Sequence, residues 1–276
     1  METLRPDAHS EHTVQPPFHL GIVAAHRPGF PVLVAVILAH NEEAHLPLAI
    51  SSIKAQRNPV SRIVVIADRC TDRTADIARE NGCQVVETPA SDHLKAGVLN
   101  DVLPELLSGL DDTDLVLITD ADSRICPEFT AVALRRLGTR PEVGAIGGVF
   151  YGQDGAGLLG ALQRNEYARY AREVGRRGAR ATVLTGTATV FRVRVLRAVA
   201  AARGTRLPGR TGCVYDTGAL TEDNEITLAV RHLGWATLSP RQCRVVTEIM
   251  PTWGDFVRQR LRWQRGALEP VRRDDR

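Results

Sequence analysis

Four short runs of strand-forming apolar residues, each closed by a polar break, alternate with stretches of helical periodicity in the first half of this chain. The runs are Val32–Ala39, Arg62–Ala67, Gln84–Glu87 and the segment Leu115-Val116-Leu117-Ile118-Thr119, which ends in Asp120-Ala121-Asp122. Between them lie helical stretches over Ala44–Gln56, from Thr71 or Asp72 to Asn81-Gly82, and over Ala96–Leu107. Leu46, Ile50 and Ile53 share one face of the first helix, and Pro47 falls in its first turn, where a proline is tolerated. Gly82 stops the second helix, and Thr71 or Asp72 is placed to cap its start. Strand and helix alternating with short connections predict an α/β fold, a mainly parallel sheet flanked by helices on both faces.

In such a sheet ligands bind beyond the carboxyl ends of the strands. Polar residues follow three of the four runs at that edge: Asn41 and Glu42, then Asp68, then Asp120 and Asp122. They are expected to share one cleft. Alternate residues of a strand point the same way, so Ala121 keeps both neighbouring carboxylates on one side. Two such oxygens suit a hard divalent cation, Mg²⁺ or Mn²⁺, shared with substrate phosphates. Taken alone, the same pattern equally describes a solvated turn after a core strand.

The second half is less regular. Helices are expected over Glu128–Leu137, Leu158–Gly175 and Val193–Ala202, and a strand over Val143–Tyr151 interrupted by Gly144, Gly147 and Gly148. Thr182–Arg192 mixes strand and turn character. Arg203–Asp216, rich in glycine and arginine, is expected to be a mobile loop. Thr221 is placed as the N-cap, by its side chain, of a helix reaching about Leu233. Short strands follow at Thr237–Ser239 and Arg244–Thr247, then a terminal helix over Trp253–Gly266.

Composition narrows the functional classes. Thirty-five basic against 32 acidic residues leave a net charge of +3, so no overall field selects a polyanion, and no nucleic-acid partner is expected. Five widely spaced cysteines form no C-x-x-C pair, which fits reduced thiols in a cytoplasmic protein. The longest apolar run, Val32–Ala39, is too short to cross a bilayer. Residues 1–31, with four histidines and five prolines, read as a disordered or loosely attached arm. Residues 267–276 read as a charged tail. No G-x-G-x-x-G follows the first strand and no P-loop motif occurs, which argues against a dinucleotide oxidoreductase and a P-loop enzyme.

Six motifs in fixed order identify a resemblance: Ala39-His40-Asn41-Glu42, Ala67-Asp68-Arg69-Cys70-Thr71-Asp72-Arg73-Thr74, Lys95-Ala96-Gly97-Val98-Leu99-Asn100, Asp120-Ala121-Asp122, Thr221-Glu222-Asp223 and Gln259-Arg260-Leu261-Arg262-Trp263. From about Val32 to Gly266 the chain resembles the inverting, family-2 glycosyltransferases of GT-A fold, in their cellulose- and hyaluronan-synthase-like branch. That resemblance implies one domain over residues 32–266, a nucleotide-binding half followed by an acceptor-binding half. It implies that Asn41, Glu42, Asp68, Lys95, Asp120 and Arg262 bind a nucleoside diphosphate sugar, with a UDP-sugar as the first expectation. Asp122, with Asp120, would hold the Mg²⁺ or Mn²⁺. Asp223 would be the general base, while Gln259, Trp263 and Glu222 would border a glycan or lipid-linked acceptor.

The expected activity is therefore metal-dependent transfer of one sugar to a hydroxyl, with inversion. Nucleotidyl transfer and non-catalytic binding of sugar nucleotides are the alternatives. Nucleotidyl transfer gives no role to the Thr-Glu-Asp and Q-x-x-R-W motifs. The chain departs from the family pattern at Ala67, where an acid is common, and at Arg69-Cys70. Relatives with Q-x-x-R-W carry membrane helices after it, so this chain is expected to be either a soluble relative or a part lacking them. Its arginine-rich C-terminal segment suggests peripheral contact with the inner face of a membrane.

Overall fold

The computed structural model describes residues 31–88 and 94–274. The arm expected before Val32 lies outside the described residues except for Pro31. The first half forms β1 (Leu33–Ala39), α1 (Leu46–Lys54), β2 (Arg62–Asp68), α2 (Thr74–Glu80), β3 (Gln84–Thr88), α3 (Leu94–Ser108) and β4 (Leu115–Asp120). The second half adds β5 (Arg124–Ile125), α4 (Phe129–Thr139), β6 (Val143–Gly147), β7 (Val149–Gly152), α5 (Gly157–Arg176), β8 (Ala188–Arg192), α6 (Val193–Ala202), α7 (Glu222–His232), β9 (Ala236–Leu238), β10 (Arg244–Thr247) and α8 (Trp253–Asp274).

Seven strands form the main sheet in the order β3-β2-β1-β4-β8-β6-β9. All pairings are parallel except those of β8, which runs antiparallel between β4 and β6. A period of two divides the strand residues between two cores. Val34, Val36, Val116 and Ile118 pack on one face with Val98, Leu99, Leu103, Leu196 and Val230 from α3, α6 and α7. Leu33, Ala35, Ile37, Leu115 and Leu117 pack on the other with Leu46, Ile50, Ile53, Phe129 and Val132 from α1 and α4. Strands buried on both sides must be apolar throughout, which is why these runs show no alternation in sequence.

The segment expected as one strand over Val143–Tyr151 is two. β6 belongs to the main sheet, while β7 joins β5 and β10 in a second, three-stranded sheet. Gly148 is the crossing point: its amide donates to Ala188 O (2.8 Å), and a Cβ there would lie 2.3 Å from Val245 Cγ2. Only a glycine lets the backbone pass between the sheets.

Of the two residues expected to cap α2, Asp72 holds its start, its Oδ1 accepting from the Thr74 amide (2.9 Å). Three other expectations change. Thr221 does precede α7, but its side chain makes no capping bond. The loop over 203–216 is anchored rather than mobile. Arg203 is fully buried and donates to Pro208 O, to Val214 O and to both oxygens of Glu225. Val214 and Tyr215 are buried as well, and the Asn100 side chain pairs with the Tyr215 backbone through two bonds of 2.9 Å. α8 runs to Asp274, past Gly266, where the sequence pattern ends.

Candidate functional site

The carboxyl ends of β1, β2 and β4 lie side by side, as the sheet order requires. Just past β1 and β2 the chain turns sharply, with left-handed backbone at Asn41 (φ 54°) and Arg69 (φ 48°). Hydrogen bonds lace the two turns together. Asn41 Oδ1 accepts from the Thr71 amide (2.7 Å), and His40 Nδ1 lies 2.6 Å from Asp68 O. Asp68, nearly buried, accepts from the Thr88 hydroxyl (2.9 Å) and from the Arg69 guanidinium. Asn41 is exposed, while Glu42 is half-buried against His45 Nδ1 (2.9 Å). The Glu42 contact raises the His45 pKa, with help from Glu248 and Asp122 against desolvation.

Asp120 is the last residue of β4, Ala121 is buried beneath it, and Asp122 follows in the turn. Lys95, at the start of α3, reaches Asp120 Oδ1 at 2.5 Å and Glu222 Oε1 at 3.0 Å. One ammonium thus joins the end of a strand to the first turn of α7. Burial opposes the Lys95 charge, but the two carboxylates outweigh it and hold the group firmly protonated. Burial also pushes Glu222 up, and here Lys95 outweighs it, so Glu222 stays below the usual range.

Two neighbours behave differently. Burial pushes Asp120 to about 6, against the pull of Lys95. Asp223, beside Glu222 and mostly enclosed, is raised to about 6 by burial and then by the Glu222 charge. Its Oδ1 accepts from the Asn224 amide (2.7 Å). Asp122 is raised by burial and by the charges of Glu42 and Glu248, with Ser123 and Thr247 hydroxyls on its Oδ1.

Asp122, whose strongest charged neighbours are the carboxylates Glu42 and Glu248, is in surroundings that favour a cation. Among the described residues no group of three or more His, Cys, Asp or Glu encloses a metal. Asp120 and Asp122 offer oxygen ligands only, and an ion held by two carboxylates keeps positions for ligand phosphates, as Mg²⁺ and Mn²⁺ sites do. The residues therefore fit a divalent cation that arrives with its ligand.

α8, which carries Gln259, Arg262 and Trp263, packs against the start of α7. Gly266 packs where any Cβ would overlap the Thr221 side chain (2.3 Å), and Asn224 Nδ2 donates to Gly266 O (3.1 Å), so α8 rests on the first turn of α7. Arg262 is exposed and its charge is felt at Glu222. Trp263 is half-buried. The Arg260 guanidinium lies 4.3 Å from the Trp263 ring centroid, 4.5 Å from that of Phe256, and is paired to Glu166 (2.6 Å). Arg260 also bonds Gln259 Oε1 (2.5 Å).

The structure thus brings Lys95, Asp120, Glu222 and Asp223 together, with Asp122 on the same edge and Arg262 within electrostatic reach. A cavity of about 20 Å³, room for about one water, is lined by Lys95, Asp223, Gly186, Tyr215 and Ile226. Sequence reasoning missed four contributors. Glu248, just past β10, obeys the same strand-end rule as Asp68 and could have been found by it. Gly186 lies so close to Lys95 that a Cβ would sit 3.1 Å from its Nζ. Tyr170, raised to about 12 by burial and then by the Asp223 charge, donates to Val183 O (3.3 Å). Arg260 takes the stacking position between aromatic rings that the motif reading gave no role.

Comparison with known proteins agrees with this architecture. A sequence model described as "Glycosyltransferase like family 2" matches residues 28–266. A poly-beta-1,6-N-acetyl-D-glucosamine synthase of Staphylococcus epidermidis is 22% identical over 246 residues, covering 87% of this chain and 55% of that protein. The Staphylococcus aureus enzyme of the same name is 23% identical with the same coverage. The chain spans about half the length of these curated relatives. Among solved structures, a mannosyltransferase from Pyrobaculum calidifontis in complex with GDP-Man and Mn²⁺ matches with a TM-score of 0.66 at 18% identity, over 88% of this chain and 65% of that one. S. aureus TarS in complex with UDP-GlcNAc matches with a TM-score of 0.53 at 16% identity, over 79% and 59%. At these identities the two structures support the fold alone.

Proposed function

The chain belongs to glycosyltransferase-like family 2, and from that premise we propose that it is a metal-dependent, inverting glycosyltransferase of the cellulose- and hyaluronan-synthase-like branch. It moves a sugar from a nucleoside diphosphate donor to a hydroxyl acceptor on a glycan or lipid. The observation that carries the reading is Lys95, which ties Asp120 of the D-x-D segment to Glu222 of Thr-Glu-Asp. A strand end suited to a metal-bound diphosphate and a helix start bearing a carboxyl raised to about 6 then border the same space.

In this mechanism Asp68 meets the base of the donor, and Asn41 and Glu42 border the nucleoside. Asp122, with Asp120, would hold Mg²⁺ or Mn²⁺, and the ion would supply Lewis-acid stabilisation of charge on the diphosphate. Lys95 and Arg262 supply cationic donors to the phosphates. Asp223 accepts the proton of the attacking hydroxyl. A base with a pKa near 6 is ionised at neutral pH yet more basic than a solvated carboxylate. Glu222, held ionised in its pair with Lys95, is the weaker base and serves the acceptor side as a positioning group. Gln259 and Trp263 border the acceptor, with Arg260 fixing the Trp263 ring from one face.

Release of nucleoside diphosphate from a panel of UDP- and GDP-sugars tests this reading. Turnover is expected with Mn²⁺ or Mg²⁺, and is expected to vanish on chelation and in Asp122→Ala. Pyrophosphate as product would instead favour nucleotidyl transfer, and full activity of Asp122→Ala would remove the metal assignment.

We further propose peripheral contact with the inner face of a membrane, through α8. No described helix is long and apolar enough to cross a bilayer. Trp253, Val257 and Leu261 are exposed at spacings of four, so they form one apolar stripe, with Arg258, Arg262 and Arg265 on the same helix. The protein is expected to co-sediment with anionic vesicles and to lose most of that binding in Trp253→Ala/Leu261→Ala. Absence of co-sedimentation with the unmodified chain would refute it.

A further inference from the structure

Beside β9 and the start of β6 the surface opens into a groove of about 590 Å³, within the usual size range of small-molecule sites. Arg140, Arg177, Arg180 and Arg231 line it, against the single carboxylate of Glu142, over a floor that includes Leu238. Three of the arginines sit at helix C-terminal ends: Arg140 follows α4, Arg177 follows α5, and Arg231 is in the last turn of α7. The local helix dipole favours a cation at each of these places. That accounts for each one singly but not for their convergence on one groove.

Their partners are few. Arg177 is paired to Glu173 (2.6 Å). Arg140, Arg180 and Arg231 make no side-chain ion pair with a described residue; Arg57 and Arg79, on another face, each make one. The turn that brings Arg177 and Arg180 to the groove uses left-handed backbone at Gly178 (φ 64°) and at Ala179 (φ 66°). A left-handed alanine is unfavourable by about 1 kcal/mol. It is held by Ala179 N–H donating to Val174 O and by Ser239 N–H donating to Ala179 O (2.7 Å).

The groove is separate from the cleft. β4, β6 and β9 run in one direction; Asp120 ends β4, while the groove takes in the first residue of β6 and the whole of β9, and shares no lining residue with the cavity beside Lys95. Arg231 lies eight residues along α7 from Asp223, about 12 Å at the helical rise.

We propose that this groove is a second anion site, distinct from the sugar-nucleotide cleft, that takes a phosphate-bearing ligand with at least two negative charges. Guanidinium groups bind phosphate oxygens two at a time, and three unpaired ones around a concave surface supply that geometry. A soluble phosphate ester and a phospholipid headgroup share the chemistry, and the experiment separates them.

The full chain, in EDTA so that no metal–diphosphate complex forms, is titrated with inorganic pyrophosphate by calorimetry. In parallel it is sedimented with phosphatidylcholine vesicles with and without phosphatidic acid. Arg140→Ala/Arg231→Ala is compared with Arg57→Ala/Arg79→Ala, which removes equal charge from another face, and thermal unfolding confirms that both are folded. The groove variant is expected to lose at least about tenfold in affinity, which is 1.4 kcal/mol, while the control keeps it. Loss in the pyrophosphate arm assigns a soluble ligand; loss confined to phosphatidic acid vesicles assigns a headgroup. Equal loss in both variants, or no binding in either arm, overturns the proposal. Neither outcome depends on sugar transfer, so the two readings fail separately.

Discussion

Asp223→Asn is expected to lower turnover by about 10²–10⁴-fold, the usual contribution of a general base, while donor binding followed by thermal stabilisation stays within about twofold. The amide keeps the oxygen that accepts the Asn224 amide, so the loss isolates proton transfer. In the unmodified chain kcat is expected to fall as pH drops through about 6, where the buried carboxylate takes its proton. The same substitution has a stability consequence of opposite sign. A carboxyl raised from 3.8 to about 6 binds its proton more tightly in the folded than in the unfolded state. Its charged form therefore costs stability above about pH 6, and the cost disappears as pH falls toward 4. Asp223→Asn is expected to be more stable than the parent at pH 7.5, by about 1–3 kcal/mol, and equal to it near pH 4. Equal turnover of the two proteins would remove Asp223 as the base, and a variant less stable at pH 7.5 would contradict the burial argument.

Arg203→Met is expected to destabilise the fold by about 3–5 kcal/mol, because it leaves the carboxylate of Glu225 buried without its partner. Arg203 has no exposed surface and spans from α6 to the start of α7, bonding Glu225 at 2.5 and 2.8 Å. A chain of this size loses about 2–4 °C in Tm per kcal/mol, so thermal scanning reads the effect directly. Burial already raises Glu225, with Arg203 opposing it. Without the guanidinium that carboxyl takes a proton more readily, so the deficit should shrink as pH is lowered. Arg203→Met/Glu225→Gln is expected to recover part of the loss at neutral pH. A single variant as stable as the parent would show that the loop does not depend on this pair.

The strand cores were readable because burial on both faces demands unbroken apolar runs, and β1, β2 and β4 lie where those runs fall. The residues of the cleft were readable for a related reason. Asp68 and Asp120 end strands and Asn41 and Asp122 follow them, and in a parallel sheet strand ends gather at one edge. What escaped are the features decided by distant partners. The separation of β6 from β7 depends on Val245 filling the space above Gly148. Arg203 looked like part of a solvated loop because its carboxylate partner is 22 residues away. Lys95 was expected near the base or phosphates of a donor, but its pairing with Asp120 and Glu222 is one that no local pattern encodes. Spacing aligned Gln259, Arg262 and Trp263 on α8 but said nothing of Arg260, whose contacts come from Phe256, Trp263 and Glu166.

The contact between Gly266 and Thr221 has one more implication. With no side chain at 266, the backbone of α8 lies directly on the residue preceding Glu222 and Asp223, and Asn224 bolts the two helices together. The outer helix is thus seated on the residue that precedes Glu222 and Asp223, so the place of α8 on the surface and the start of the helix bearing that acid are fixed by one contact.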